Sequence, residues 1–303
     1  MGLSKAITYR GSPFSGDAFL GRCIRAGILY LVFSIYQMLG AAAHAAPFAY
    51  VTNAGSGNVS VINMATNTVI TTVAVGLTPE QVAVTPNGLF AYVANSGSDT
   101  VSVIATATNT VVGSPISVGA NPTGIAITPN GAFVYVANNG SASVSVIATA
   151  TNTVVGSPIS VGSGPAGVAI TPNGAFAYVS NFVSNTVSVI ATATNTVVGS
   201  PISVEQRPDF LAVSLNGASV FVPNQNSNSV SVISTATNMV TATVTAGIGA
   251  NPTGIAITPS DIPIIPTLSD GALLFLLAAM AAALALRIVT RQASPPPRPP
   301  RAI

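Results

Sequence analysis

The sequence predicts an all-β fold, a ring of five four-stranded antiparallel sheets packed face to face, and three observations carry that reading. The first is repetition. Tyr50-Val51-Thr52-Asn53 recurs as Tyr92-Val93-Ala94-Asn95, Tyr135-Val136-Ala137-Asn138, Tyr178-Val179-Ser180-Asn181 and Phe221-Val222-Pro223-Asn224. The leading aromatics are 42, 43, 43 and 43 residues apart, the period of a four-stranded repeat unit. The second is punctuation: each copy breaks into short apolar runs between Pro, Asn and Gly turn signals, and no run has a helical period. The third is burial. In Phe90–Asn95 both faces of the strand are apolar, Phe90 and Tyr92 on one side and Ala91 and Val93 on the other. A sheet wetted on one face alternates with polar residues. With no helices to cover the second face, neighbouring copies must do so, and stacked four-stranded sheets in a ring make a β-propeller.

The second copy shows the four strands in order. Gln81–Thr85 is the first, stopped by Pro86-Asn87-Gly88, and Phe90–Asn95 is the second. Thr100–Ile104 is the third, and Thr110–Val118 reads as one fourth strand in which Pro115 suits an outer edge. Strands of the first kind begin at Gln81, Gly124, Gly167, Phe210 and Gly254, whereas the first copy opens directly on Phe48-Ala49-Tyr50-Val51. The spare strand Gly254–Thr258 is therefore expected to join the first copy and latch a five-bladed ring. Closure would also remove edges that such uncharged segments leave prone to aggregation.

Composition narrows the chemistry. Only 5% of the 303 residues are charged, against about 25% in ordinary soluble domains. Between Ala46 and Pro263 the charges are Glu80, Asp99, Glu205, Arg207, Asp209 and Asp261, so this region is acidic overall and has no basic patch for nucleic acid. The single Cys, Cys23, and the single His, His44, both precede it. A domain without imidazole or thiol has no His or Cys zinc site, no Ser-His-Asp triad and no Cys nucleophile. No catalytic residue, metal site or cofactor is expected.

The two ends read as addresses. Arg22 and Arg25 flank an apolar run over Ala26–Leu39, and Ala43-His44-Ala45 fits the small-x-small cleavage rule, with Ala43 and Ala45 as its small positions. Residues 1–45 are thus expected to be a signal peptide and 46–260 the propeller. Gly271–Leu286 carries no charge, and with Ile288 and Val289 it approaches the length of a membrane span. Residues 271–289 are expected to form one transmembrane helix. The basic, Pro-rich tail 290–303 would stay cytoplasmic, and 261–270 would form a linker.

Two resemblances follow from these residues. Ile265-Pro266-Thr267-Leu268-Ser269, the apolar segment and the terminal arginines resemble the IPTL-CTERM sorting signal. That resemblance implies handling by the export machinery and an exosortase-type membrane enzyme, and delivery to the cell surface. The chain departs from the pattern in having no Trp. The Tyr-Val-x-Asn strand, Thr-Val-Ser-Val-Ile, Ala-Thr-Asn-Thr-Val-Val and Pro-x-Gly-Ile-Ala-Ile-Thr-Pro-Asn-Gly elements, over Phe48–Pro259, resemble the YVTN β-propeller repeat family. Its members are typically surface or secreted proteins, often with seven blades. Ala105, Ala148 and Ala191 stand where that family commonly carries Asp.

The candidate sites lie where the repeat breaks. Glu205-Gln206-Arg207-Pro208-Asp209-Phe210 replaces a Gly-x-x-Pro-x-Gly segment, and Phe182 follows Tyr-Val-Ser-Asn in an expected loop. Glu205, Arg207, Asp209 and Phe182 are candidates for a partner contact, the alternative being a local ion pair. Asn53, Asn95, Asn138, Asn181 and Asn224 are expected to cap strands and bond turn backbone. The repeated tyrosines are expected in the core. The function these features suggest is a non-catalytic surface or matrix propeller, membrane-anchored and presenting its faces to an unknown protein or glycan. The alternatives are a lactonase-type propeller enzyme and a small-ligand sensor.

Overall fold

The computed structural model describes residues 47–258, and they form five antiparallel sheets in chain order. The first contains β1 (Phe48–Asn53), β2 (Asn58–Asn63) and β3 (Thr68–Ala74); the second β4 (Pro79–Val84), β5 (Phe90–Asn95), β6 (Thr100–Ala105), β7 (Thr110–Val111) and β8 (Ile116–Ser117). The third contains β9 (Pro122–Ile127), β10 (Phe133–Asn138), β11 (Ser143–Ala148), β12 (Thr153–Val154) and β13 (Ile159–Ser160). The fourth contains β14 (Pro165–Ile170), β15 (Phe176–Asn181), β16 (Thr186–Ala191), β17 (Thr196–Val197) and β18 (Ile202–Ser203). The fifth contains β19 (Ala212–Val213), β20 (Ser219–Asn224), β21 (Ser229–Ser234) and β22 (Met239–Val244). The all-β, propeller-type architecture predicted from the repeats is present. The only helical turns among the described residues are three of 3-10 type, at Ala54–Ser56, Asn139–Ser141 and Gln225–Ser227.

The Tyr-containing strand is doubly buried, as its two apolar faces require. Ala91, Tyr92, Val93 and Ala94 are all wholly inaccessible. Four apolar cores lie between successive sheets. Val59, Val61 and Val73 meet Ala91, Val93 and Ile104. Tyr92, Val101, Val103 and Ile116 meet Val134, Val136 and Ile147. Tyr135 and Ile159 meet Val179 and Ile190, and Tyr178 and Ile202 meet Val222 and Ile233. Each apolar face is therefore covered by a sibling sheet, and packing of this kind supplies the main stabilisation.

Two expectations are corrected. The fourth strand is not continuous in copies two to four. Both β7 and β8 pair with β6, and Val112 still donates its N–H to the Val103 carbonyl at 2.8 Å, but 113–115 leave the ladder. Gly113 takes φ +71 and Pro115 has no N–H to offer, so the intervening turn bulges out. The first copy lacks the Gly-Ser-Pro sequence, and β3 runs unbroken.

The ring is also not latched by Gly254–Thr258. The first sheet has three strands, ordered β1-β2-β3, and Gly254–Thr258 forms no strand. The segment instead begins beside the fifth sheet, where Phe210 donates its N–H to the Thr253 carbonyl at 3.1 Å and Asn251 donates to Asn228 Oδ1 at 2.9 Å. It starts on the position that a sixth copy would occupy. The bonds to Phe210 and Asn228 hold the segment to the fifth sheet, and none joins it to β1 among the described residues. Among the described residues there is no fifth intersheet core, and Val51 on the outward face of the first sheet is 44% exposed. The expected signal peptide, sorting motif and transmembrane helix lie outside the described residues. Among the described residues no helix is long and apolar enough to cross a membrane.

Candidate functional site

The loops at one end of each sheet follow a shared scheme. A residue with positive φ precedes the proline that opens the inner strands β4, β9 and β14, and the equivalent prolines Pro208 and Pro252: Thr78, Asn121, Gly164, Arg207 and Asn251. Glycine or asparagine tolerates that conformation most readily. In the fifth sheet an arginine takes it, with φ 54. Its N–H is held by Asn185 Oδ1 at 2.8 Å, as that of Asn121 is by Asp99 Oδ1 at 2.8 Å. Further bonds pin the loop: Gln206 N–H to Ser227 Oγ at 2.9 Å, Gln225 N–H to the Arg207 carbonyl at 2.9 Å, and Asp209 N–H to the Pro223 carbonyl at 2.9 Å.

That anchoring brings together residues the sequence separates by 25 positions. The Arg207 guanidinium carbon lies 5.1 Å from the centroid of the Phe182 ring, within the range of a cation–π contact. Phe182 is in turn fixed by its N–H to the Gly164 carbonyl at 2.8 Å. Phe182, Val183, Asn185, Gln206, Arg207 and Asn226 line a cleft of about 250 Å³. Arg207 is the only basic residue between 47 and 258, where four carboxylates are present, and its side chain is exposed. The cleft therefore offers one cation, three side-chain amides and an aromatic wall, a set suited to a small carbonyl or carboxylate group.

Asp209 stands two residues beyond Arg207, at the entrance to the fifth inner strand. Burial raises its carboxyl pKa above 3.8, opposed by a backbone hydrogen bond at Phe210. A carboxylate displaced upward by burial is a candidate proton acceptor. Glu205, in the same loop, is exposed. Of the candidates named from sequence, the structure joins Arg207 and Phe182 directly and places Asp209 and Glu205 on the same loop. Ala43, Ala45 and Ile265–Ser269 lie outside the described residues. No group of three or more His, Cys, Asp or Glu side chains is placed to hold a metal ion among the described residues.

The repeated polar residues do something the sequence reading missed. Tyr50 donates its hydroxyl to Asn109 Oδ1 at 2.7 Å, Tyr92 to Asn152 at 2.6 Å, Tyr135 to Asn195, and Tyr178 to Asn238 at 2.6 Å. Each bond ties one sheet to the outer turn of the next. The available signal was an Asn 59 or 60 residues after each of these four tyrosines. The Tyr-Val-x-Asn amides, expected to bond turn backbone, instead reach across to the next strand. Asn95 Nδ2 donates to Thr100 Oγ1 and Ser102 Oγ at 3.2 and 3.0 Å, and Asn138 to Ser143 and Ser145 at 3.1 and 2.9 Å. The turn asparagines behave as expected: Asn87 Oδ1 accepts from Leu89 N–H and Thr85 Oγ1.

Among solved structures, the chain is similar to hydrazine synthase of Kuenenia stuttgartiensis, with 29% identity and a TM-score of 0.62 over 70% of this chain and 68% of that one. It is similar to a functionally unknown protein of Desulfotomaculum acetoxidans DSM 771, with 23% identity and a TM-score of 0.58 over 67% and 68%. It is also similar to virginiamycin B lyase of Staphylococcus aureus, with 12% identity and a TM-score of 0.61 over 71% and 72%. No curated protein matches the sequence. The model of the family described as lactonase, seven-bladed β-propeller matches residues 41–159 and 149–253.

This match corrects the expectation of a non-catalytic domain. That expectation rested on the missing imidazole and thiol, yet ester hydrolysis can run on carboxylate and guanidinium groups alone, and both are present at 205–209. The described residues supply five sheets where the family's description has seven blades. The chain belongs to the lactonase, seven-bladed β-propeller family.

Proposed function

We propose that this protein is a lactonase-type propeller acting on a small cyclic ester at the Phe182–Arg207 cleft. The family match carries the reading, and the one cation-bearing break in an otherwise regular repeat gives it an address. Opening a lactone requires water to add to the ring carbonyl, a base to take the water proton, and a donor for the charge that builds on oxygen. Arg207 is assigned to the developing oxyanion and to the carboxylate product. Its side chain is positioned by the Phe182 ring, and its backbone by Asn185. Asp209 does not itself line the cleft; it is assigned to the water proton as the half-buried carboxylate on the loop that carries Arg207. The bond that breaks is between the acyl carbon and the ring oxygen, which leaves as the hydroxyl of a hydroxy acid.

The test is a panel of γ- and δ-lactones titrated at constant pH, with and without added divalent cations. Arg207→Ala and Asp209→Asn are each expected to lower kcat/KM by about a hundredfold. Asp209→Asn should at the same time stabilise the fold above the native carboxyl pKa, where the burial cost of the charge is fully present. That gain should vanish below pH 3.8. Absence of turnover over background across the panel would end the reading.

We also infer export to the cell surface, supported by Ala43-His44-Ala45, the apolar stretch 271–289 and the IPTL-like residues Ile265–Ser269. The partners implied are the export machinery, an exosortase-type enzyme and the membrane. Fractionation of whole cells tests this, and recovery of the propeller only from cytoplasm would reject it.

A further inference from the structure

The first sheet and the last segment are complementary halves of one unit. Residues Gly249–Pro259 repeat Gly119–Pro129 without a single change. In the third sheet that sequence makes the inner strand β9, which pairs with β10 through Ile127 opposite Val134, Ala126 opposite Tyr135 and Ile125 opposite Val136. The equivalent of β10 in the first sheet is β1, and among the described residues its inner edge has no partner strand. A strand that demonstrably pairs in one copy is thus left unpaired beside the fifth sheet. The edge that would accept it is left open on the first.

Both halves are exposed accordingly. β1 is half-buried or exposed along its length, whereas β5, β10 and β15 are almost wholly buried. Residues 251 and 253 root the segment on the fifth sheet. Beyond that root, Gly254–Thr258 makes no backbone hydrogen bond among the described residues, so this stretch is the part able to reach a neighbour. An open edge of apolar, uncharged β sequence is a template for strand addition.

We propose that two copies of this protein associate by strand exchange: Gly254–Thr258 of one chain adds to β1 of another as its missing inner strand. The chain's own β1 is not the occupant, because the segment is rooted on the fifth sheet and does not reach the first. The register follows from the third sheet, with Ile257 opposite Ala49, Ala256 opposite Tyr50 and Ile255 opposite Val51. The contact is head-to-tail, one surface meeting a different one, and therefore extends to further copies unless it is reciprocated.

The test uses the full chain in mild detergent, with Cys23→Ser as background. Val51→Cys and Ile255→Cys variants are prepared separately, mixed, and bridged by oxidation or a short bis-maleimide. A covalent dimer in the mixture, absent from either variant alone, is the expected result, and the double variant should give dimers and higher species. A double variant that crosslinks only within one chain would show ring closure and overturn the proposal, as would the absence of any crosslink. A second measurement needs no crosslink. Sedimentation of the unmodified chain should show association that is lost in Ala256→Pro, which removes a strand N–H; a monomeric unmodified chain would equally overturn it.

Discussion

Removing one phenolic hydroxyl from the intersheet bonds gives a sharp measure of how the sheets are held together. In Tyr92→Phe the ring stays in a fully buried site, so apolar packing is unchanged and only the 2.6 Å bond to Asn152 Oδ1 is lost. A neutral hydrogen bond contributes about 0.5–1.5 kcal/mol net. Asn152 is half-buried, so its freed oxygen recovers part of its hydration and the cost stays near 1 kcal/mol. Converting Tyr50, Tyr92, Tyr135 and Tyr178 together should cost about 4 kcal/mol, since the four bonds lie at separate junctions and should add. A domain of this size loses about 2–4 °C of Tm per kcal/mol, so the fourfold variant should melt roughly 8–16 °C lower. Urea unfolding followed by circular dichroism measures the single and fourfold variants on one scale. Phe221 is the built-in control. It stands in the fifth copy, whose outward face has no sixth sheet among the described residues, so Phe221→Tyr should gain nothing. The reasoning fails if Tyr92→Phe leaves the midpoint unchanged, or if Phe221→Tyr raises it as much as Tyr92→Phe lowers it.

Two further outcomes follow from the same packing. Burial raises the pKa of Tyr50, Tyr92 and Tyr178 above 10.0 and that of Tyr135 to about 12. A folded pKa above the unfolded one means that the stabilisation is complete below pH 10 and is lost as pH rises toward 12. Phenolate absorbance should therefore rise together with unfolding in that window, and ionisation near pH 10 with the fold intact would contradict it. At Gly124 an added Cβ would sit 2.2 Å from the Ala166 carbonyl oxygen of the neighbouring inner strand. Gly124→Ala should cost about 3 kcal/mol or more because backbone cannot yield there. Gly113→Ala, with φ +71 and open space around it, should cost only about 1 kcal/mol of backbone strain; equal destabilisation of the two would refute the distinction.

Legibility in the sequence tracks the range of the interaction. Phe90–Asn95 was readable to the residue because its limits come from its own apolar run and from the turn signals at Gly88 and Gly97 beside it. The interruption of the fourth strand was half readable: Pro115 was visible as an edge residue, but the bulge also needs Gly113 at positive φ. Failure of ring closure was not readable at all. Strand counts balance, five of each kind, yet closure depends on the angle between sheets, which a count of strands does not contain.

The candidate site shows the same limit in another form. Phe182 and Arg207 each stood out as departures from the repeat, but only the loop bonds at Gly164 and Asn185 bring the ring and the guanidinium together. The inference from composition to function went astray at a definable step. Missing His and Cys excludes the mechanisms that use them; it does not exclude hydrolysis by the groups that remain. In a repeat this uniform, selection for packing explains every copy that matches the others. Left-handed backbone at this position is shared by Thr78, Asn121 and Asn251, so it marks no site by itself; what packing does not explain in the fifth copy is a guanidinium over the Phe182 ring on a loop with a half-buried carboxyl whose pKa is pushed up. Burial of that carboxyl is a cost that a bound group would offset, and for this reason the proposed chemistry is tested first on the fifth sheet rather than on the regular ones.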